Sequence, residues 1–569
     1  MSIVLGFSNS HNGSVTLIEN GEVKIAIQAE RISRRKRQSL PLKKEIELVH
    51  KCVSYCLEST GVKYKDINAI ALSTPWKASK ISDREIFQYI GGIPENYTGT
   101  FYVPHHLSHM EYILHYGNLE PGIVLVIDGS GSLEEDRSLF NIKEESHPNK
   151  ISHSCFSGKE VISAYFFDGF KSYLIYRFSP SRSPLFEYNI DSKGLLQSIG
   201  HYWRWASLYC CGSPNEAGKV MGLAAFGDEV DCDTKCFMTL SNSMKINLNF
   251  KKINQLYNKP NIFSLDLSNN KHHQNLAKRV QVETENVILK LLTNLKNKYP
   301  TDNLYLSGGV ALNVVANERI KNSNLFKKVI LNGSVEDNGT AIGAGLAASL
   351  KIGCERKSSV VKEYYGHNYS HKEILESISQ FNFHHELISK DELLKNAANL
   401  IKEERIIGWF QGQSEFGPRA LGNRSILANP FSGSTKYILD NFMKCRDRYR
   451  PYAPVVIEEK ASNFFDIDTS SPVMMRNVKV LDKRLIAVTH IDGTARVQTV
   501  NKKENKILYY LLLEVEKVTG IPILLNTSFN LPGEPIVESP YDALSSFSKG
   551  CLDNLFLGNF LIYRNKKNL

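Results

Sequence analysis

The chain has 569 residues, more than one compact core holds, so two domains are expected. Hydrophobic residues make up 42% and charged residues 22%, ordinary for a soluble globular protein. The net charge of +10 is mostly dispersed, and the denser clusters RISRRKR (Arg31 to Arg37) and KCRDRYR (Lys444 to Arg450) suit an anionic small ligand as well as a polynucleotide.

The amino terminus, MSIVLGFSNSHNG, has no basic stretch leading into an apolar one and so does not read as a secretory signal. It reads as a buried strand, Ile3 to Phe7, entering a polar turn with His11 and Asn12. From Gly13 to Gly21 the chain passes into a second strand, GEVKIAIQAE, the start of a hairpin. Pro104 opens a predicted helix whose first turns carry His105, His106 and His109 in PHHLSHMEY. GIVLVIDGSGS places an apolar run, Ile123 to Ile127, directly before Asp128-Gly129. Residues Ser130 to Gly200 read as polar and irregular, the composition of lids or substrate loops. After a surface break at SNNKHHQ, a helix is predicted from Asn275 to Lys298. NLYLSGGVALN and KKVILNGSVEDNGTAIGAGLAASL repeat the order of strand, glycine turn and helix, so an α/β fold with ligands at strand ends is expected. A boundary is expected between Lys351 and Tyr365, followed by about 200 residues, enough for an independent core. No internal repeat is visible. No apolar run approaches the roughly 18 residues needed to span a bilayer, and a cytoplasmic protein is expected. The 10 cysteines fit no zinc framework and read as reduced thiols.

Three groups of residues carry chemistry. His105 and His109, at i and i+4, lie one above the other on a helix face and are placed to share an ion. Asp128 and Asp337 both follow buried strands, and two imidazoles with two carboxylates suit Fe(II), Mn(II) or Zn(II). Ser307-Gly308-Gly309-Val310 and Asp337-Asn338-Gly339-Thr340 join strand ends to helix starts, where backbone N–H groups favour phosphate, although neither has a Walker or GxGxxG pattern. EFGPRALGNRSILANP carries Arg419 and Arg424, and KCRDRYRPYAP carries Lys444, Arg446, Arg448 and Arg450, a cradle suited to phosphate or carbamoyl phosphate. NTSFNLPGEPIV adds the amides of Asn526 and Asn530 and the hydroxyl of Ser528.

Together these segments resemble the carbamoyltransferases of the NodU/CmcH type, which act on nodulation factors, cephamycins, aminoglycosides and other natural products. The resemblance spans the His11 loop, ERISRRK, HHLSH, VIDGSG, GKVMGLAAFG, LSGGVALN, DNGTAIGAGLAA, EFGPRALGNRSILANP, RYRPYAP and NTSFNLPGEPIV. It implies an actin-like ATPase fold over residues 1–355 and a YrdC-like α/β domain over 356–569. It further implies that His105, His109, Asp128 and Asp337 hold a metal, typically iron, and that Lys36, Ser307, Gly308, Gly309, Val310, Asn313, Asp337 and Gly339 bind the nucleotide. Arg419, Arg424, Lys444, Arg446, Arg450, Asn526, Ser528 and Asn530 would handle carbamoyl phosphate and ATP, with Mg2+. His11, Glu216 and Lys444 are the implied catalytic residues. The family often has Asp after the first histidine of that loop, where this chain has Asn12.

The expected reaction is ATP-dependent carbamoylation of a small-molecule hydroxyl through carbamoyl adenylate, with carbamoyl phosphate as donor. An amine acceptor is the nearest alternative. The tRNA type uses the actin-like half alone, and the hydrogenase-maturation type adds an acylphosphatase unit and Cys-rich fingers not found here. A metalloprotease would need the glutamate of HExxH, and between the two histidines stand His, Leu and Ser. A nucleic-acid binder would rest on the +10 charge alone. Neither a membrane nor a nucleic acid is an expected partner, and a homodimer is a common state for such an enzyme.

Overall fold

Ile3–Ser8 is buried at all six positions because it lies inside a sheet and has no solvent face. It pairs antiparallel with Ser14–Glu19 and parallel with Ala69–Thr74, which pairs parallel with Gly99–Pro104. A second sheet repeats this plan. Gly122–Ile127, again fully buried, pairs antiparallel with Ile162–Phe167 and parallel with Asn303–Ser307, which pairs parallel with Lys328–Leu331. The computed structural model describes residues 2–74, 81–151, 158–180, 197–228, 236–257, 270–358 and 363–564.

Three readings from sequence are corrected here. The stretch read as irregular contains the strands Glu145–Ile151, Ile162–Phe167 and Ser172–Phe178. They are short, and Ser, Tyr and Arg interrupt their apolar pattern although most of the latter two strands is buried. Its residues 152–157 and 181–196 lie outside the described residues. SVTLIE, read as part of a connection, is itself the strand Ser14–Glu19. The helix predicted from Asn275 to Lys298, before the strand Asn303–Ser307, also starts earlier, at Lys271, with Asn270 as its cap.

The chain forms two compact units. One comprises Met1–Ser10, Ser14–Glu22 and Lys63–Val360, and the other His11–Gly13, Val23–Val62 and Val361–Leu569. Within the first, the helices His105–Tyr116 and Gly339–Lys351 pack so closely that a Cβ at Gly343 would overlap the carbonyl oxygen of Ser108.

The second unit is built on a nine-stranded mixed sheet. Successive residues serve opposite faces: Ile523 and Leu525 join one apolar cluster, Leu524 the other. Val456 and its neighbours Val455 and Ile457 divide in the same way. The helices Lys390–Lys402 and Lys506–Thr519 bury their apolar stripes on one face, and Pro540–Lys549 does so on the other. Among the described residues no helix is long and apolar enough to cross a membrane.

Candidate functional site

The two sheets described above bring side chains to the carboxyl ends of their parallel strands, where α/β folds place ligands. Gly99–Pro104 ends at Pro104, which caps the helix carrying His105 and His109. Asp128 follows Gly122–Ile127, and Asp337 lies just ahead of Gly339–Lys351. The Nε2 atoms of His105 and His109 are 3.3 Å apart. His105 Nε2 is 3.3 Å from Asp128 Oδ2 and 3.4 Å from Asp337 Oδ1, and His109 Nε2 is 3.9 Å from the same Asp337 oxygen. All four side chains are buried, with one ligand atom from each within 4.8 Å of the others. Ligands about 2.0–2.2 Å from an ion stand about 3.0–3.6 Å apart, so the donor set fits a divalent metal. Hydroxyls sit 3.4 Å from the remaining ring nitrogens, Ser73 at His105 and Ser307 at His109, and leave both Nε2 atoms to the centre.

The electrostatics agree. Burial disfavours charge on His105, but the carboxylates of Asp337 and Asp128 reverse this and lift it to about 10. His109, buried beside that imidazolium, is pushed down to about 3. The two carboxylates demand a positive charge between them, which His105 supplies with its proton and a divalent ion would supply in its place.

The glycine turn after Asn303–Ser307 closes over this group. Gly308 has φ +89°, and a Cβ there would overlap the carbonyl of Ile127, so only glycine serves. Gly309 N–H donates to Asp128 Oδ1 at 3.3 Å, and Val310 lies in the following turn Gly309–Leu312. Asn313 is committed elsewhere: its Oδ1 accepts from Ala316 N–H at 3.0 Å, and its Nδ2 donates to Gln281 at 3.0 Å. Gly339 is the first residue of its helix. Glu216 precedes Ala217–Leu223 and pairs with Lys219 at 3.8 Å, not with the four ligands. His11 is exposed on its turn and belongs to the second unit.

In the second unit, a π-helical turn, Leu439–Met443, delivers Lys444. Its Nζ donates to the carbonyl of Ser528, to the carbonyl of Asn530 at 3.0 Å and to Asn530 Oδ1 at 2.8 Å. Burial of the ammonium, and then the charges of Arg446, Lys36 and Arg450, hold it well below the ordinary lysine range. Arg496, on the strand Thr494–Val500, is lowered in the same way by burial and by Arg419, Arg450 and Arg446. An anion among these cations would relieve their mutual repulsion. Asp440 at 3.3 Å and the Tyr452 ring at 3.8 Å hold Arg446 in place. Asn526 donates to Gln498 Oε1 at 2.8 Å. Arg424 stands outside this group: fully buried, it stacks 3.5 Å over Phe410 and donates to the carbonyls of Gln411 and Gly412.

Residues 95–346 match the family described as Carbamoyltransferase N-terminus, and residues 398–564 match that described as Carbamoyltransferase C-terminus. Nodulation protein NolNO of Sinorhizobium fredii is 30% identical over 97% of this chain and 79% of its own length. The chain belongs to the carbamoyltransferase family. A further relative, nodulation protein NolO of Bradyrhizobium diazoefficiens, is 34% identical over 63% of this chain and 67% of its own. A 3'-hydroxymethylcephem-O-carbamoyltransferase of Amycolatopsis lactamdurans is 30% identical over 60% of this chain and 63% of its own. The four metal-type ligands fall in the amino-terminal carbamoyltransferase segment, and the cations from Arg419 to Arg496 in the carboxyl-terminal one. Arg496 is a member of the cation group that sequence reading did not single out. The one signal for it is a lone arginine in TARVQTV between the fully buried Ala495 and Val497.

Proposed function

We propose that this carbamoyltransferase uses ATP and carbamoyl phosphate to carbamoylate a hydroxyl of a small molecule, with carbamoyl adenylate as the intermediate. The gathering of Lys36, Arg419, Lys444, Arg446, Arg450 and Arg496 in the second unit carries this reading, because two phosphate-bearing substrates need such a cradle. Hydrolysis of carbamoyl phosphate gives carbamate and phosphate. A carbamate oxygen then attacks the α-phosphorus of ATP, and pyrophosphate leaves with its charge met by these cations and by Mg2+. Activation is needed because the carbamoyl nitrogen feeds its lone pair into the carbonyl and weakens the electrophile.

Transfer is assigned to the first unit, most of the segment 1–355 read as the actin-like half, and activation to the second, which joins residues 11–13 and 23–62 to the segment 356–569 read as YrdC-like. The twice-used sheet plan and the turns at Gly308-Gly309 and Gly339 support nucleotide binding there. A divalent metal, iron foremost, held by His105, His109, Asp128 and Asp337 would supply Lewis acidity toward the phosphate leaving group. The acceptor hydroxyl loses its proton to a base as its oxygen attacks the carbamoyl carbon and AMP departs. His11 is the candidate base, and Glu216 the second. The two relatives named above as nodulation proteins and the cephem O-carbamoyltransferase support an oxygen acceptor on a natural product. The test is exchange of labelled pyrophosphate into ATP. Exchange that requires carbamoyl phosphate is the expected result, whereas ADP formation without exchange would exclude an adenylate.

A further inference from the structure

A helix leaves its first N–H groups without intrahelical partners, and Pro104 offers the helix His105–Tyr116 no capping side chain. Two groups from elsewhere in the first unit replace it. Ser132 Oγ accepts from His105 N–H at 2.9 Å, and Glu160 Oε1 accepts from His106 N–H at 3.1 Å. The same Glu160 oxygen accepts from Ser132 N–H at 3.2 Å. The backbones join as well: Gly131 N–H donates to the Glu160 carbonyl at 2.7 Å, Glu160 N–H to Ser132 at 3.1 Å and Asp128 N–H to Val161 at 3.0 Å. A side chain at Gly131 would overlap Glu160 Cγ and Oε1, so the loop lies flat against the carboxylate. Glu160 is buried, and its other oxygen lies 3.1 Å from Arg177. Arg177 Nε in turn donates to Ser163 Oγ at 3.1 Å, which lies 2.8 Å from His106 Nδ1.

One carboxylate therefore ties the helix bearing His105 and His109 to the loop bearing Asp128. We propose that Glu160 is the positioning residue of the metal centre: without being a ligand, it fixes the separation between the two imidazoles and Asp128. This rests on the four-residue group being a metal site. An anion at a helix N-terminus suits the helix dipole, and its pairing with Arg177 explains why it is tolerated in the interior. Outer groups of this kind commonly govern metal affinity by about 10- to 100-fold.

Co(II) is the probe, titrated into the full chain and followed by its visible d–d absorption. Glu160→Gln keeps an oxygen acceptor for the helix but loses the Arg177 pair, and is expected to weaken binding by about 10-fold. Glu160→Ala is expected to weaken it by about 100-fold and to shift the d–d bands at saturating Co(II). Wild-type affinity and an unshifted spectrum in both variants would overturn the proposal. Should Glu160→Ala not fold, Glu160→Gln decides alone. Asp337→Asn separates the two claims: if it binds Co(II) as well as the parent chain, the metal reading itself fails, whatever Glu160 does.

Discussion

Glu504 shows how one side chain sets a pH dependence. Burial, followed by repulsion from the Glu458 carboxylate, lifts it from 4.5 to about 7. An acid with a folded pKa above its unfolded value opposes folding once it must ionise. Its cost is absent below pH 4.5, grows as pH rises and is complete above about 7. Glu504→Gln is therefore expected to melt above the parent chain at pH 8 and together with it at pH 4, as followed by thermal denaturation. A gain at pH 4 as large as at pH 8 would assign the effect to packing. Among the cations, Arg419 and Arg424 differ in surroundings although five residues apart in one motif. Arg424 is spent on backbone carbonyls and Phe410, whereas Arg419 lies among the charges around Arg496. Their sequence neighbourhoods, both glycine-rich, do not separate them.

At the scale of elements, the helix pair His105–Tyr116 and Gly339–Lys351 positions the histidine and aspartate group, since one carries both histidines and the other follows Asp337. Gly343 sets their approach. Gly343→Val is expected to push the helices apart and cost about 1–3 kcal/mol, lowering the thermal midpoint and weakening metal binding together. Unchanged metal affinity in that variant would show that the ligands do not depend on this contact. The spacing of His105 and His109 was legible because i and i+4 is a local relation on a helix. Asp128 was legible because it directly follows a buried apolar strand, whereas the strand before Asp337, Lys328–Leu331, has no buried residue and ends well short of it, against the reading of two buried strands. Arg496 was not, because only strand pairing brings Thr494–Val500 beside the loops bearing Arg446 and Arg450. The repeated sheet plan was equally hidden: Ile3–Ser8 and Gly122–Ile127 share a connectivity and a burial pattern, but only the short run Ile-Val-Leu is common to both. Glu160 drew no notice because two of its partners are backbone N–H groups, which leave no mark in the sequence, and the third, Arg177, is distant along the chain.

At the scale of the whole molecule, the proposed function divides the chemistry by unit. The cation group lies in the second and suits an anionic substrate, and the buried histidine and aspartate group lies in the first and suits a divalent metal. Family membership covers both segments, so neither group is an isolated motif. A division of this kind has a direct consequence: damage to one group should leave the other's reaction intact. Pyrophosphate release from ATP and carbamoyl phosphate, compared across the parent chain, Lys444→Ala and Asp128→Asn, measures it. The account predicts release that requires both substrates, falls at least about 100-fold in Lys444→Ala, as for loss of a charged group from a phosphoryl-transfer site, and persists in Asp128→Asn. Release that is lost in Asp128→Asn but survives in Lys444→Ala would contradict it.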